Sequence, residues 1–261
     1  MLSAEGFDAL GGIGEGATPA MPGRGSWLAW CWGSFAVSVA VVVAIATARP
    51  GIASLAIEPF AQLAVFCVLP LMRAVRLKAL MRDKRFRTVS AEAVTAALLR
   101  AAGPSGVRQV TVRVGPVGGF ARCFRAGGHA VLLVHERLPL RPEAARFFIA
   151  HEVAHLARYD VFRRPATLMT AFICCFCLAV TWPPLLVPGV LAVVATAVIG
   201  SWWMELRCDR LAVRWFGLAP AEQAFALVQR AYRRTFWTLV THPTPRRRVQ
   251  ACRRVSEGAH G

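Results

Sequence analysis

Long charge-free apolar stretches alternate along this chain with segments of soluble composition. Trp27 to Ala48 is uncharged and Val-rich, with Trp27, Trp30 and Trp32 at one end like an interfacial belt. Its length matches the roughly 20 residues a helix needs to cross a bilayer core. Gly51 to Met72 has a similar length after the short Arg49-Pro50 turn, although Glu58, Pro59 and Pro70 interrupt it. A second apolar pair, Pro165 to Trp182 and Pro184 to Met204, is joined at Pro183-Pro184 and bounded by Arg163-Arg164 and Trp202-Trp203. That pattern predicts a membrane hairpin or a re-entrant pair.

Between the two pairs the pattern becomes that of a soluble domain. Ser90 caps a predicted helix over Ala91 to Ala102, which Gly103-Pro104 ends. Two β-rich runs follow, Val107 to Val114 and His129 to His135, separated by a Gly-containing segment with Phe120 and Phe124. Pro142 and Glu143 open another helix, which carries apolar residues through Leu156. The expected fold is mainly α with a small β-sheet, in a multi-pass membrane protein. Residues 1–25, rich in Gly, Ala and Pro, read as a disordered tail, and 26–72 as two transmembrane helices. One domain over 73–261 is expected, interrupted by the hydrophobic hairpin at 165–204 and ending in a basic amphipathic segment.

Composition supports membrane insertion, since 56% of the residues are hydrophobic. The formal net charge is +17, and its densest block is Arg73, Arg76, Lys78, Arg82, Lys84, Arg85 and Arg87 against Asp83 alone. Directly after an apolar stretch, such a block is better explained by cytoplasmic retention beside anionic lipids than by nucleic acid, which is not an expected partner. Of the eight cysteines, Cys31, Cys67, Cys174, Cys175 and Cys177 fall in apolar spans. Cys123, Cys208 and Cys252 lack CxxC spacing, so reduced thiols are expected rather than a zinc ribbon or redox pair.

The chemistry centres on FIAHEVAHLAR, residues 148–158, an HExxH on a predicted helix. His151 and His155, four apart, project from one face and can share a zinc, with Glu152 beside it as general base. A catalytic zinc needs a third protein ligand, for which His129, His135, His242, His260 and Glu205 are candidates. Glu205 opens ELRCDRLA, and Asp209 lies one turn later, where it can brace a ligand histidine while Glu205 binds the metal. The competing reading is a solvated helix face whose acids offset Arg207, Arg210 and Arg214.

HEVAHLARYD, a hydrophobic hairpin, ELRCD and then HPTPRRRV together resemble the HtpX and CAAX-prenyl-protease group of membrane zinc peptidases. The group shares HExxH, a downstream ExxxD and a late HPxxxxR, in that order. The resemblance covers roughly Gly119 to Ala251. It implies a zincin-like (gluzincin) domain with one Zn2+ on His151, His155 and Glu205, Glu152 as the base and Asp209 behind the ligands. His242 and Arg248 match the late motif, with an implied role at substrate or the tetrahedral intermediate. Gly119-Phe120-Ala121 occupies the place of an Asn-Ala-Phe-Ala-like stretch, implicating Phe120 at the substrate, although the Asn is missing. His129 to Val134 is the expected edge strand for an extended peptide.

The implied activity is zinc endopeptidase, with a polypeptide substrate, in membrane-protein quality control or regulated proteolysis. The expected location is a bacterial cell membrane with the site facing the cytoplasm, the zinc within roughly 15 Å of the bilayer surface. Membrane or misfolded proteins are the expected clients, and anionic lipids a further partner. The rivals are a BlaR-type signalling peptidase that cleaves a repressor and an inactive membrane scaffold.

Overall fold

The computed structural model describes residues 24–48, 57–89, 92–138, 141–158, 160–231 and 242–257. The tail expected over residues 1–25 lies outside these up to residue 23, as do the Arg49-Pro50 turn and the Ser90 cap. Helix α1 (Arg24–Ala48) and α2 (Ile57–Arg82) precede a short strand β1 (Arg87–Thr88) and helix α3 (Glu92–Ala102). Strands β2 (Gln109–Gly115), β3 (Ala121–Ala126) and β4 (His129–His135) follow. The remaining helices are α4 (Pro142–Ala157), α5 (Asp160–Thr181), α6 (Leu186–Phe216), α7 (Leu218–Ala231) and α8 (Pro245–Glu257). The chain is thus mostly helical with a small mixed sheet, as its periodicity predicts.

The sheet order is β1-β2-β4-β3. β2 runs parallel to β4, from Gln109 opposite His129 to Gly115 opposite His135, and β3 returns antiparallel on β4. His129 to Val134 is therefore an interior strand, and the edge belongs to β3, in the segment read from sequence only as a connection. Alternation along β4 divides its side chains between two layers. Ala130, Leu132 and Val134 pack with Leu98 of α3 and Ile149 and Val153 of α4. Val131 and Leu133 pack instead with Leu77 of α2, Phe86 and Val117. The sheet is sandwiched between α2 and the α3/α4 pair.

α2 corrects the expected boundary at Met72: it continues to Arg82, because a change from apolar to basic composition is no helix-stop signal. Arg113 of β2, 6% exposed, donates to the carbonyls of Leu80, Asp83 and Phe86 at that helix end. This supplies donors and positive charge at the C-terminal end of the helix, where its dipole favours a cation. Gly115 is needed where β2 passes the turn after α2, since a Cβ there would lie 2.6 Å from Phe86 Cδ1 and 2.7 Å from the Arg85 carbonyl oxygen.

α5 and α6 pack against each other through the Pro183–Leu185 turn, which is the expected hairpin with longer arms: α5 begins at Asp160 and α6 ends at Phe216. α1 joins them through Val42 and Ile45 against Ile173 and Cys177, and through a Ser34–Thr170 hydroxyl contact. Among the described residues one helical run, Pro183–Phe216, is long and apolar enough to cross a membrane, whereas the sequence leads to two transmembrane helices over 26–72 and a membrane or re-entrant hairpin over 165–204. The apolar parts found at Trp32–Ala48 and Thr167–Cys177 are shorter.

Candidate metal centre

The helical repeat of α4 brings His151 and His155 onto one face, with their Nε2 atoms 3.1 Å apart. α6 crosses this face just beyond its apolar portion and contributes Glu205. One carboxylate oxygen, Oε2, lies 3.4 Å from His151 Nε2 and the other, Oε1, 3.4 Å from His155 Nε2. A tetrahedral ion with ligand bonds of about 2.0–2.1 Å holds its donors about 3.3–3.4 Å apart, which these separations approach. The three residues could hold a metal ion.

Glu205 Oε2 is buried among nitrogens: His242 Nδ1 at 3.0 Å, His151 Nε2 at 3.4 Å and Arg248 Nη2 at 3.5 Å. None meets it at a hydrogen-bonding angle. Proximity without a hydrogen bond suits an oxygen whose lone pair serves a cation. Burial raises the Glu205 carboxyl, but the three facing imidazoles and Arg248 outweigh it and hold its pKa well below the ordinary value. The group is a carboxylate, as a ligand must be.

Behind the donors, Asp209 is fully buried and lies 2.8 Å from His151 Nδ1, leaving Nε2 for metal. Its carboxylate also accepts two bonds from Arg248, Nε to Oδ2 at 2.7 Å and Nη2 to Oδ1 at 2.6 Å. Arg248, approaching from α8, stacks over Phe225 at 4.9 Å. Its guanidinium is engaged by Asp209 behind the donors, while the resemblance implies a role for it at substrate or the tetrahedral intermediate. With Glu205 8% exposed and Asp209 0%, the solvated-face reading does not describe this pair. Burial lowers the His151 imidazole, and the Asp209 and Glu205 carboxylates beside it more than reverse this, so its pKa is raised.

Cys208 was missed in the sequence. Its Sγ lies 3.3 Å from His155 Nδ1, so the second histidine meets a thiol where the first meets a carboxylate. The available signal was spacing: Cys208 follows Glu205 by three residues, on the same helical face.

Glu152, one residue after His151, accepts the backbone N–H of Cys123 at 2.8 Å. The edge strand β3 is thereby fixed beside the HExxH helix. Burial, with the Glu152 charge next, pushes the Cys123 thiol well above its ordinary value, so it remains neutral. His242 is brought to Glu205 with half its side chain exposed, and Phe120 stacks on Phe148 of α4 at 4.5 Å. His129 instead pairs with Thr111, its Nε2 2.9 Å from the hydroxyl, and His135 Nδ1 accepts the Arg137 N–H. Neither joins the cluster, and His260 lies outside the described residues. Compared with protein-family models, curated proteins and solved structures, the chain matches none.

Proposed function

We propose that this protein is a membrane-embedded zinc endopeptidase that hydrolyses peptide bonds at the cytoplasmic surface. The observation that carries the reading is the convergence of His151, His155 and Glu205, with Asp209 behind one histidine and Glu152 beside the cluster. Two imidazoles and a carboxylate are a donor set of catalytic zinc, and three protein ligands leave a position for water or substrate. Zinc bound there would supply a Lewis acid for the substrate carbonyl and acidify water.

The chain's own residues would do the rest. Glu152 accepts the proton of the attacking water and returns it to the leaving amine. The outer edge of β3 supplies substrate docking: because the His135 N–H donates to the Phe120 carbonyl, alternation turns the backbone groups of Ala121, Cys123 and Arg125 outward, the Cys123 N–H resting on Glu152 until a peptide strand takes its place. An extended peptide added there runs past Glu152. His242, half-exposed beside Glu205, is available to donate to the oxyanion. Multi-pass insertion through α1, α2, α5 and α6, with the basic end of α2 on the cytoplasmic side, belongs to the same proposal.

The test is metal content and casein cleavage by purified, detergent-solubilised protein beside Glu152→Gln. The variant should keep its zinc and lose cleavage by about 100-fold or more. Full cleavage by Glu152→Gln would refute the mechanism. Zinc without cleavage in the unmodified protein would favour the scaffold.

A further inference from the structure

Resting on that reading, we propose that the groove between α2 and β3 is a substrate subsite selective for an acidic side chain, with Arg73 and Arg76 as its specificity-determining residues. The groove has a volume of about 480 Å³ and is lined by Leu69, Met72, Arg73, Val75, Arg76 and Phe124, among others. Its walls are apolar and its charged groups are all cationic. The Arg76 guanidinium sits 5.0 Å above the Phe124 ring, and among the described residues no carboxylate pairs with it. Arg73 lines the same groove beside Phe124, the strand neighbour of Cys123, whose N–H meets Glu152.

The pleat connects this groove to the catalytic cluster. Successive side chains of β3 point to opposite faces: Phe124 packs on the α2 side with Val131 and Leu133, whereas Cys123 packs on the α4 side. A peptide strand added beside β3 must alternate in the same way, because directly opposed residues share a face. The side chain opposite Cys123 then faces α4 and Glu152, and the one opposite Phe124 falls into the groove. An acidic residue one position from the site-facing residue meets two arginines there, while its neighbours two positions away lie along the apolar wall. The selectivity has a repulsive side as well. Cytoplasmic flanks of membrane helices are rich in Lys and Arg. Arg73 and Arg76 disfavour such segments and leave acidic or exposed apolar segments as clients.

The test uses the full chain carrying Glu152→Gln, in zwitterionic nanodiscs, with short Ala/Leu peptides in which a single Asp, Ala or Lys is walked through every position. Fluorescence anisotropy should find one register in which Asp binds about 3- to 10-fold more tightly than Lys, the size of a partly screened charge pair. In the same background R76E alone should shrink this ratio and R73E/R76E should invert it. Cleavage of the peptides by the zinc-loaded protein with Glu152 intact, mapped by mass spectrometry, should put the preferred Asp within two residues of the scissile bond. Equal affinities for Asp and Lys at every position, or a preference for Asp that survives charge reversal, would overturn the subsite. So would charge reversal that abolishes binding to phosphatidylserine vesicles without altering the Asp/Lys ratio, which would assign the groove to lipid. Charge-blind binding beside intact zinc-dependent cleavage sinks the subsite alone. If no peptide of any charge is cleaved, the peptidase reading fails and the subsite fails with it.

Discussion

Asp209→Asn is the most informative single substitution, because one carboxylate serves two partners. Its oxygens hold Arg248 at 2.6 and 2.7 Å and stand 2.8 Å from His151 Nδ1. Removing the charge leaves the largely buried guanidinium with only the more distant Glu205 carboxylate, at 3.5 Å, and breaking such a pair from one side costs up to about 3–5 kcal/mol. That is a large share of the roughly 5–15 kcal/mol that holds an ordinary domain folded. The metal-side effect should be about 10- to 100-fold in zinc affinity, the usual cost of an altered outer partner. Adding Arg248→Met to Asp209→Asn separates the two roles. The double variant should recover much of the lost stability, since no unpaired charge remains, but not the affinity, since His151 still lacks its carboxylate. Burial raises the Asp209 carboxyl and Arg248, with His151, more than offsets it, so its pKa lies below the ordinary value. A depressed carboxyl stabilises the fold above its unfolded pKa of about 3.9, and that contribution fades as pH falls through the native value. The stability gap between the unmodified protein and Asp209→Asn, read by thermal unfolding of the metal-free proteins in detergent, should be full at neutral pH and close below about pH 4. A gap that ignores pH, or two substitutions whose costs simply add, would refute the charge-pair argument. Unchanged zinc affinity by chelator competition would refute the brace.

Glu205→Ala should lower zinc occupancy far more than Asp209→Asn, with both proteins still inserted in the membrane; wild-type affinity in Glu205→Ala would exclude it as a ligand. Cys208→Ala should weaken zinc binding by up to about 10-fold through loss of the His155 contact, with Cys208→Ser recovering part of it; equal, unperturbed affinities in both would reduce the thiol to packing. Gly115→Ala should cost about 1–3 kcal/mol in thermal unfolding, because the obstruction includes backbone as well as the Phe86 ring, whereas an unchanged melting temperature would contradict that close approach. A reporter fused after Arg87 should be active only in the cytoplasm; periplasmic activity would invert the proposed orientation.

The parts of the site legible in the sequence are those set by spacing along one element. His151, Glu152 and His155 needed only the helical repeat, and Glu205 with Asp209 needed the same repeat plus a shortage of other donors. Cys208 escaped because a lone thiol in an apolar context reads as a small core residue, and only a tertiary neighbour makes it polar. β3 escaped for a related reason. ARCFRA carries two arginines, yet Arg125 is 3% exposed, its guanidinium donating to the Ser105 hydroxyl and carbonyl and to the Gly127 carbonyl. A buried, fully engaged arginine has the sequence signature of a loop. Which strand forms the edge is not a local property either. It follows from β2 and β4 pairing directly in parallel, which leaves β3, between them in sequence, on the outer side of β4, and with it moved the expected substrate-docking site.

The way the ligands are carried has a consequence for stability of the site. α6 is one uninterrupted helix from Leu186 to Phe216, with Glu205 on it about 28 Å from the start at the helical rise. A tilt of about 10° at the apolar end would displace that carboxylate by about 5 Å, whereas a metal site tolerates about 0.2 Å. The rod must therefore be fixed at both ends. Near the turn, α5 packs on α6 and is itself held by α1 through Ile173, Cys177 and the Ser34–Thr170 contact. Past Glu205, the Asp209–Arg248 pair ties α6 to α8. The apolar hairpin and the candidate metal donors are then a single mechanical unit. A fragment ending after α4 would keep HExxH but lack the third donor, and loosening the hairpin in harsh detergent should reduce metal affinity before it unfolds the sheet.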